Sequence, residues 1–182
     1  GGAGAIGGLL LGILLAYVFE TADTSLRREK DVEQKLGLPF LGFVPAASLK
    51  GGERLYQNLI ANESNVSAES IRNLRTMVDF AGVGEWSRFL LVTSTLQEEG
   101  KTTVASCLAV AYCQMGERVL IIDGDLRRPA LHTRFGLSRE KGLSQFLASG
   151  HSTDELAPLI QRHSVENLHA LVCGVRPPNP SE

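Results

Sequence analysis

The stretch FLLVTSTLQEEGKTT, residues 89–103, decides how this chain folds. Residues 89–93 form a continuous apolar run, typical of a strand that is buried on both faces. A glycine-containing loop follows, and residues 101–115 have the pattern of a helix that ends at Gly116. A buried strand, a loop and the start of a helix in this order predict an α/β fold with a parallel sheet.

The loop in this stretch is a phosphate-binding motif with one substitution. Such motifs have a glycine, four variable residues and then Gly-Lys-Ser/Thr, and here Thr95 stands in the first position. Backbone N–H groups at the start of the helix and its positive dipole end attract phosphate. Lys101 suits the β- and γ-phosphates, and the Thr102 hydroxyl suits Mg²⁺. The residues expected to bind ATP are Thr95, Gln97, Glu98, Glu99, Gly100, Lys101, Thr102 and Thr103.

Two carboxylates follow the next apolar run. Residues 118–122 (RVLII) predict a second buried strand, after which come Asp123 and Asp125. Ligand sites in parallel sheets lie beyond the carboxyl ends of the strands, so these side chains are expected beside the phosphate loop. They predict Mg²⁺ binding together with Thr102, and handling of an incoming hydroxyl. Residues 168–173 form a third apolar run.

The overall composition excludes several classes of protein. The 182 residues have a formal net charge of −2 and are 43% hydrophobic, which excludes a disordered chain and argues against a generally basic nucleic-acid binder. The three cysteines form no CxxC pair, so we expect buried thiols in a reducing compartment. The four histidines match no metal-ligand spacing.

The first 19 residues contain no charged side chain. A membrane span needs about 20 apolar residues, so residues 1–20 are predicted to form a transmembrane helix. Basic residues after it (Arg27, Arg28, Lys30 and Lys35) favour the cytoplasmic side. We expect a juxtamembrane segment and linker over residues 21–66, then the N-terminal part of a nucleotide-binding domain over 67–182, in a chain cut from a longer protein.

A helix is predicted from residue 68 to about residue 80, with Ser67 as its N-cap. Ile71, Leu74 and Val78 form its apolar stripe. Three charged residues lie on the opposite face, within about 120° of one another. They are Glu69, Arg72 and Arg75.

These motifs together resemble those of the bacterial tyrosine kinases, P-loop enzymes of capsular and exopolysaccharide synthesis and export. The sequence of residues 120–127, three apolar residues and then Asp-x-Asp-x-Arg, is similar to their second Walker motif. The phosphate loop is similar to their TSxxPGEGKTT, with Gln97 in place of proline and Glu98 in place of glycine. Glu69-x-x-Arg72-x-x-Arg75 resembles their ExxRxxR motif. Residues 1–20 and LGLPFLGFVPA (36–46) resemble the end of a polysaccharide co-polymerase, or chain-length determinant, domain.

The resemblance implies a membrane-anchored, ATP-dependent protein-tyrosine autokinase that regulates polysaccharide chain length and export. It implies a P-loop NTPase-type fold, ATP and Mg²⁺ as cofactors, an inner-membrane location with the kinase domain in the cytoplasm, and no nucleic-acid partner. Expected partners are further copies in a ring, joined through Glu69, Arg72 and Arg75, and the polysaccharide export machinery. Lys101, Asp123 and Asp125 become the catalytic candidates. Asp123 is expected to orient or deprotonate the tyrosine hydroxyl, with Asp125 supporting the metal or the base. Arg127 is expected to contact a phosphate or an interface. The family's later Walker B aspartate and tyrosine-rich tail have no counterpart, so the domain is expected to be incomplete.

Two other functions fit the same motifs. A partition- or export-type P-loop ATPase would hydrolyse ATP as a switch, although partition ATPases carry a lysine where this chain has Leu96. A co-polymerase scaffold would use the nucleotide site only to control assembly.

Overall fold

The computed structural model describes residues 2–22, 29–45, 52–61, 64–83, 89–149 and 152–177. The chain divides into two compact units, Gly1–Phe40 and Leu41–Glu182. The described residues of the first unit form α1 (Gly2–Ala22) and α2 (Glu29–Leu36). Arg27 and Arg28, predicted to mark the cytoplasmic side, lie outside the described residues.

Helix α1 coincides with the segment that is predicted to cross a membrane. Its large apolar side chains are exposed, from 48% for Leu15 to 74% for Phe19. Among the residues that the structure describes, no helix is long and apolar enough to span a bilayer. The transmembrane placement of residues 1–20 therefore stays a prediction.

Three helices build the core of the second unit: α3 (Gly52–Ile60), α4 (Val66–Val78) and α5 (Lys101–Cys113). Helix α5 is buried over most of its surface, as its almost wholly uncharged sequence indicates. Helices α3 and α4 both pack against it. The thiols of Cys107, Cys113 and Cys173 are free and buried, as the sequence predicts.

Helix α3 lies within residues 21–66, the stretch predicted to be a juxtamembrane segment and linker, and packs on α5 instead. Leu55, Tyr56 and Leu59 are at most 4% exposed and belong to the main hydrophobic cluster. Their spacing puts all three on one face of a helix, which buries that face against α5 even though the surrounding sequence is polar. These residues are part of the core.

Helix α4 starts two residues earlier than predicted. Its N-cap is Asn65, whose Oδ1 accepts a hydrogen bond from the N–H of Ala68 at 2.9 Å, so Ser67 lies within the first turn. Both residue types cap helices well, and the sequence alone does not decide between them. A π-helical turn, Asp79–Val83, continues the helix.

A small mixed sheet lies beside α5. It contains β1 (Val119–Ile122), β2 (Gln161–Arg162) and β3 (Leu168–Leu171), in the order β1-β3-β2. Strands β1 and β3 are parallel, with Val119 opposite Leu168 and Ile122 opposite Leu171, whereas β2 is antiparallel to β3. The predicted α/β class is confirmed, and the segments that follow β1 and β3 leave from the same edge of the sheet.

The strand predicted over residues 89–93 is not formed. These residues have no regular secondary structure, and Phe89 and Leu91 are 89% and 87% exposed. A strand requires a neighbour that accepts and donates backbone hydrogen bonds, and no described strand pairs with this segment. The apolar run indicates a tendency to be buried, but composition does not supply the neighbouring strand that pairing requires.

Candidate functional site

Two residues of the loop before α5 have a positive φ. Gly100 is the N-cap of α5 and has φ 90°, which glycine adopts without strain. Glu98 has φ 62°, a left-handed conformation in which glycine is favoured. The substitution of glutamate for the family's glycine therefore falls where the backbone needs a positive φ.

Two side chains hold this loop together. Nζ of Lys101 donates to Oγ of Ser94 at 3.0 Å and to the carbonyl oxygen of Leu96 at 3.2 Å. Oε2 of Glu99 accepts from the N–H of Leu96 at 2.9 Å and from the Thr95 hydroxyl at 3.4 Å. The Leu96 N–H is the main reason why the pKa of Glu99 is below its usual value. Glu99 therefore stabilises the loop by accepting hydrogen bonds from two other loop residues.

A cavity of about 520 Å³ lies over the loop. Among the residues that the structure describes, four cationic side chains and one carboxylate line it, together with uncharged loop residues. The lining residues are Ser94, Thr95, Leu96, Gln97, Lys101, Asp125, Arg127, Arg128 and Arg176. The structure thus brings five of the predicted site residues into one cavity: Thr95, Gln97, Lys101, Asp125 and Arg127.

The other residues predicted to bind ATP or Mg²⁺ are not among those that line the cavity. Thr102 is half-buried in the first turn of α5. Thr103 is 5% exposed, and its hydroxyl accepts a hydrogen bond from Nη2 of Arg134 at 3.1 Å. Thr103 therefore packs inside the domain.

Asp123 and Asp125 shape the segment after β1 through their carboxylates. Oδ2 of Asp123 accepts from the N–H groups of Ala130 and Leu131 at 3.2 and 3.0 Å, where a short helix, α6 (Leu131–Phe135), begins. Oδ1 of Asp123 accepts from the N–H of Asp125 at 3.2 Å. Burial raises the pKa of Asp123 above its usual 3.8, and these three hydrogen bonds oppose the rise.

Asp125 is exposed to the cavity, unlike Asp123. Its Oδ1 accepts from the N–H groups of Arg127 at 3.2 Å and Arg128 at 2.8 Å. The Asp125 carboxylate is thereby fixed at the carboxyl end of β1, in the same cavity as Lys101.

The residues present suit Mg²⁺ better than a metal held by protein alone. In the described part of the chain, no group of three or more His, Cys, Asp or Glu could hold a metal ion. Mg²⁺ takes one or two carboxylates, waters and substrate phosphates, all through oxygen. The oxygens of Thr102, Asp123 and Asp125 are donors of this kind.

Arg128 and Arg176 were not predicted as site residues. Arg128 adjoins the predicted Arg127, so the sequence contains a local signal for it. Arg176 comes from the segment after β3 and carries no motif, and only the parallel pairing of β1 with β3 brings it to the cavity.

The three residues predicted for assembly have different surroundings. Nη1 of Arg72 lies 2.6 Å from Oε1 of Glu69 in an ion pair within α4. Nη1 of Arg75 donates to the carbonyl oxygen of Ala111 in α5 at 3.4 Å. Arg75 therefore also ties α4 to α5.

The chain has relatives among bacterial proteins named tyrosine-protein kinases. It is 37% identical to the tyrosine-protein kinase YwqD of Bacillus subtilis over 133 residues, which is 72% of this chain and 55% of that protein. It is 31% identical to the tyrosine-protein kinase ptk of Acinetobacter johnsonii over 183 residues, which is 96% of this chain and 25% of that protein. The chain thus spans about half, or less, of the length of these relatives. No family model matches.

Solved kinase domains have the same fold. The kinase domain of the Escherichia coli tyrosine kinase ETK aligns with a TM-score of 0.70 and 29% identity over 85% of this chain and 62% of that one. The chimerical protein CapA2B2 aligns with a TM-score of 0.63 and 36% identity over 85% of this chain and 64% of that one. Sequence and fold therefore agree on the resemblance that the motifs indicate.

Proposed function

Because this chain is a relative of the bacterial tyrosine-protein kinases, we propose that it carries the nucleotide site of an ATP-dependent protein-tyrosine autokinase. One observation carries the proposal: the Lys101 ammonium and the Asp125 carboxylate line the same cavity, at the start of α5 and the end of β1. A cation facing phosphates and a carboxylate facing the acceptor are what phosphoryl transfer needs, because positioning and electrostatics dominate this chemistry.

Residues of this chain would both bind the phosphates of ATP and accept the proton of the tyrosine hydroxyl. Lys101 and the N–H groups at the start of α5 hold the phosphate oxygens of ATP. The tyrosine Oη forms a bond to the γ-phosphorus, the bond from that phosphorus to the β–γ bridging oxygen breaks, and ADP leaves. The phenolic proton passes to a carboxylate at the end of β1. The exposure of Asp125 to the cavity supports it in this role, and Asp123 positions the loop that carries it.

Mg²⁺ would screen the charge of the β- and γ-phosphates when bound. Thr102, Asp123 and Asp125 would hold it, directly or through water, and Arg127 would contact a phosphate or a neighbouring subunit. Thr95, Gln97, Glu98, Glu99 and Gly100 form the loop around the phosphates.

The setting of the kinase is part of the proposal. The uncharged sequence of residues 1–19 supports an anchor in the bacterial inner membrane, with the kinase domain in the cytoplasm. The resemblance of residues 1–20 and 36–46 to a co-polymerase supports a role in regulating polysaccharide chain length and export. Copies would assemble into a ring through Glu69, Arg72 and Arg75.

Replacement of Lys101 by methionine tests the function. Loss of a hydrogen bond to a charged group costs about 1.5–3 kcal/mol, so Lys101→Met should weaken MgATP binding by roughly 10- to 100-fold and abolish phosphotyrosine formation. Calorimetry measures the affinity, and an immunoblot against phosphotyrosine measures the transfer. Lys30→Met, which removes an exposed lysine in α2, is the matched control and should change neither.

The outcomes separate the candidate functions. Unchanged MgATP affinity in Lys101→Met would reject the phosphate loop. ATP turnover without phosphotyrosine in the unmodified protein would favour the ATPase, and nucleotide binding without either reaction would favour the scaffold.

A further inference from the structure

The cavity has more positive charge than the phosphate loop supplies. Besides Lys101, the guanidinium groups of Arg127, Arg128 and Arg176 line it, and among the described residues Asp125 is the carboxylate that lines it with them. Arg128 and Arg176 are exposed, and within the described ranges neither forms an ion pair with a carboxylate.

The positions of Arg128 and Arg176 are set by the fold. Strands β1 and β3 are parallel neighbours, so the segments that carry the two arginines leave from the same edge of the sheet. The hydrogen bond from the Arg128 N–H to Oδ1 of Asp125, at 2.8 Å, fixes the first segment.

Two side chains hold the backbone of the second segment, which follows β3. The Ser144 hydroxyl donates to the carbonyl oxygen of Val175 at 2.7 Å, and Nε of Arg139 donates to that of Gly174 at 3.3 Å. A Cβ on Gly142 would collide with the carbonyl of Val172, and Gly174 has φ 84°. Glycine at both positions therefore lets the backbone around Gly142 approach the backbone around Gly174 closely. This contact helps to place Arg176 at the cavity.

Electrostatics assigns the two arginines to a second anion. The start of α5 and Lys101 already face the phosphates, and a bound Mg²⁺ would neutralise part of the triphosphate charge. Arg128 and Arg176 follow strands β1 and β3 rather than the phosphate loop, and Asp125, which would meet the acceptor, lies three residues before Arg128. Guanidinium groups bind carboxylates through paired hydrogen bonds.

We propose that Arg128 and Arg176 select acidic residues that flank the acceptor tyrosine, so that the preferred substrate is a tyrosine within an acidic segment. The proposal rests on the proposed kinase function and names the substrate class of the same site. It makes Arg128 and Arg176 determinants of peptide specificity.

Two fluorescent peptides of the same length test this, one with tyrosine flanked by glutamates and one with tyrosine flanked by lysines. Binding is measured by fluorescence anisotropy in the presence of MgADP, and MgADP affinity by calorimetry. The acidic peptide should bind at least about tenfold more tightly, and the preference should weaken with added salt because the contacts are exposed. The Arg128→Glu/Arg176→Glu double variant should lose or reverse this preference while MgADP affinity stays within about twofold.

Arg118→Glu is the matched control, because Arg118 is exposed just before β1, at the opposite end of that strand from the cavity. It should leave the peptide preference and MgADP binding unchanged. Equal binding of the two peptides to the unmodified protein would overturn the proposal. So would a loss of MgADP affinity in the double variant with the peptide preference retained, since the arginines would then bind phosphate.

Failure of the proposed function is recognised separately. If Lys101→Met leaves MgADP affinity unchanged, the nucleotide assignment is wrong, whatever the peptides do. If Lys101→Met loses nucleotide and the unmodified protein does not distinguish the peptides, the nucleotide site stands and the peptide proposal falls.

Discussion

The imidazole ring of His163 contacts three residues from different parts of the chain, two through its ring nitrogens and one through ring packing. Nδ1 accepts from the N–H of Val165 at 3.0 Å, and Nε2 lies 3.0 Å from the hydroxyl of Tyr56 in α3. The ring of Phe135 in α6 lies 4.8 Å from the imidazole ring, centroid to centroid. Because Nδ1 accepts, these contacts fit the neutral ring, and a second proton there would remove the Val165 hydrogen bond.

A pH dependence of stability follows from this arrangement. Burial lowers the pKa of His163 below 6.5, the value it regains on unfolding. The unfolded chain therefore binds the proton first as the pH falls, so the contribution of neutral His163 is present above pH 6.5 and is lost as the pH drops toward the lowered pKa. Urea unfolding measured between about pH 8 and pH 5 should show this loss.

His163→Gln is the matched control, because an amide can accept from Val165 and donate to Tyr56 without titrating in this range. The difference in unfolding free energy between the two proteins should be constant above pH 6.5 and should shrink or change sign below it. Parallel curves over the whole range would show that His163 does not titrate with unfolding.

Strand β1 has one face that packs against the hydrophobic core and one face that is exposed. Val119 and Ile121 pack against the hydrophobic cluster, whereas Leu120 and Ile122 are 41% and 51% exposed. Successive side chains of a strand point to opposite faces, so neighbouring isoleucines offer a matched pair of substitutions. Ile121→Ala should lower the unfolding free energy by about 2 kcal/mol, and Ile122→Ala by no more than about 0.5 kcal/mol.

Urea titration of both variants measures the two losses under the same conditions. Equal losses would mean that the face with Leu120 and Ile122 is covered in the folded protein. A larger loss for Ile122 would reverse the assignment of the two faces.

The elements that could be predicted from sequence carry their signals locally. Helix α5 was predicted because Gly100 precedes an apolar run that ends before Gly116, and β1 because its four apolar residues end at an aspartate. Helix α3 has a local signal as well, in Leu55, Tyr56 and Leu59, but it is short and follows a glycine pair in a polar segment.

The features that could not be predicted from the sequence depend on contacts between residues that are far apart along the chain. The run at residues 89–93 has the composition of a strand, yet composition does not tell which strand will pair with it. In the cavity, Lys101 and Asp125 belong to motifs and were predicted, whereas Arg176 is brought there by the pairing of β1 with β3. Local motifs thus identify the site, and the fold adds further residues to it.

The proposed assembly through α4 would use charges that already have partners within one chain. The Glu69 side chain is 51% exposed and that of Arg72 is 20% exposed, and their ion pair connects residues one turn apart. Arg75 contacts the Ala111 carbonyl, so replacing it would disturb the packing of α4 on α5 as well as any interface. The surface pair is therefore the better place to test assembly.

Exchanging the two residues, Glu69→Arg with Arg72→Glu, keeps an ion pair within the helix but reverses the sign of charge at each position. The ion pair is partly exposed and the exchange keeps it, so the unfolding free energy should change by no more than about 1 kcal/mol. Pairs that are desolvated between subunits couple far more strongly and depend on sign. The exchange should therefore convert rings to monomers and reduce phosphorylation between copies, with MgATP affinity unchanged.

Asn73→Ala, at an exposed position on the same helix, is the control. Light scattering that finds one oligomeric state for all three proteins would assign Glu69 and Arg72 to an ordinary solvated helix face.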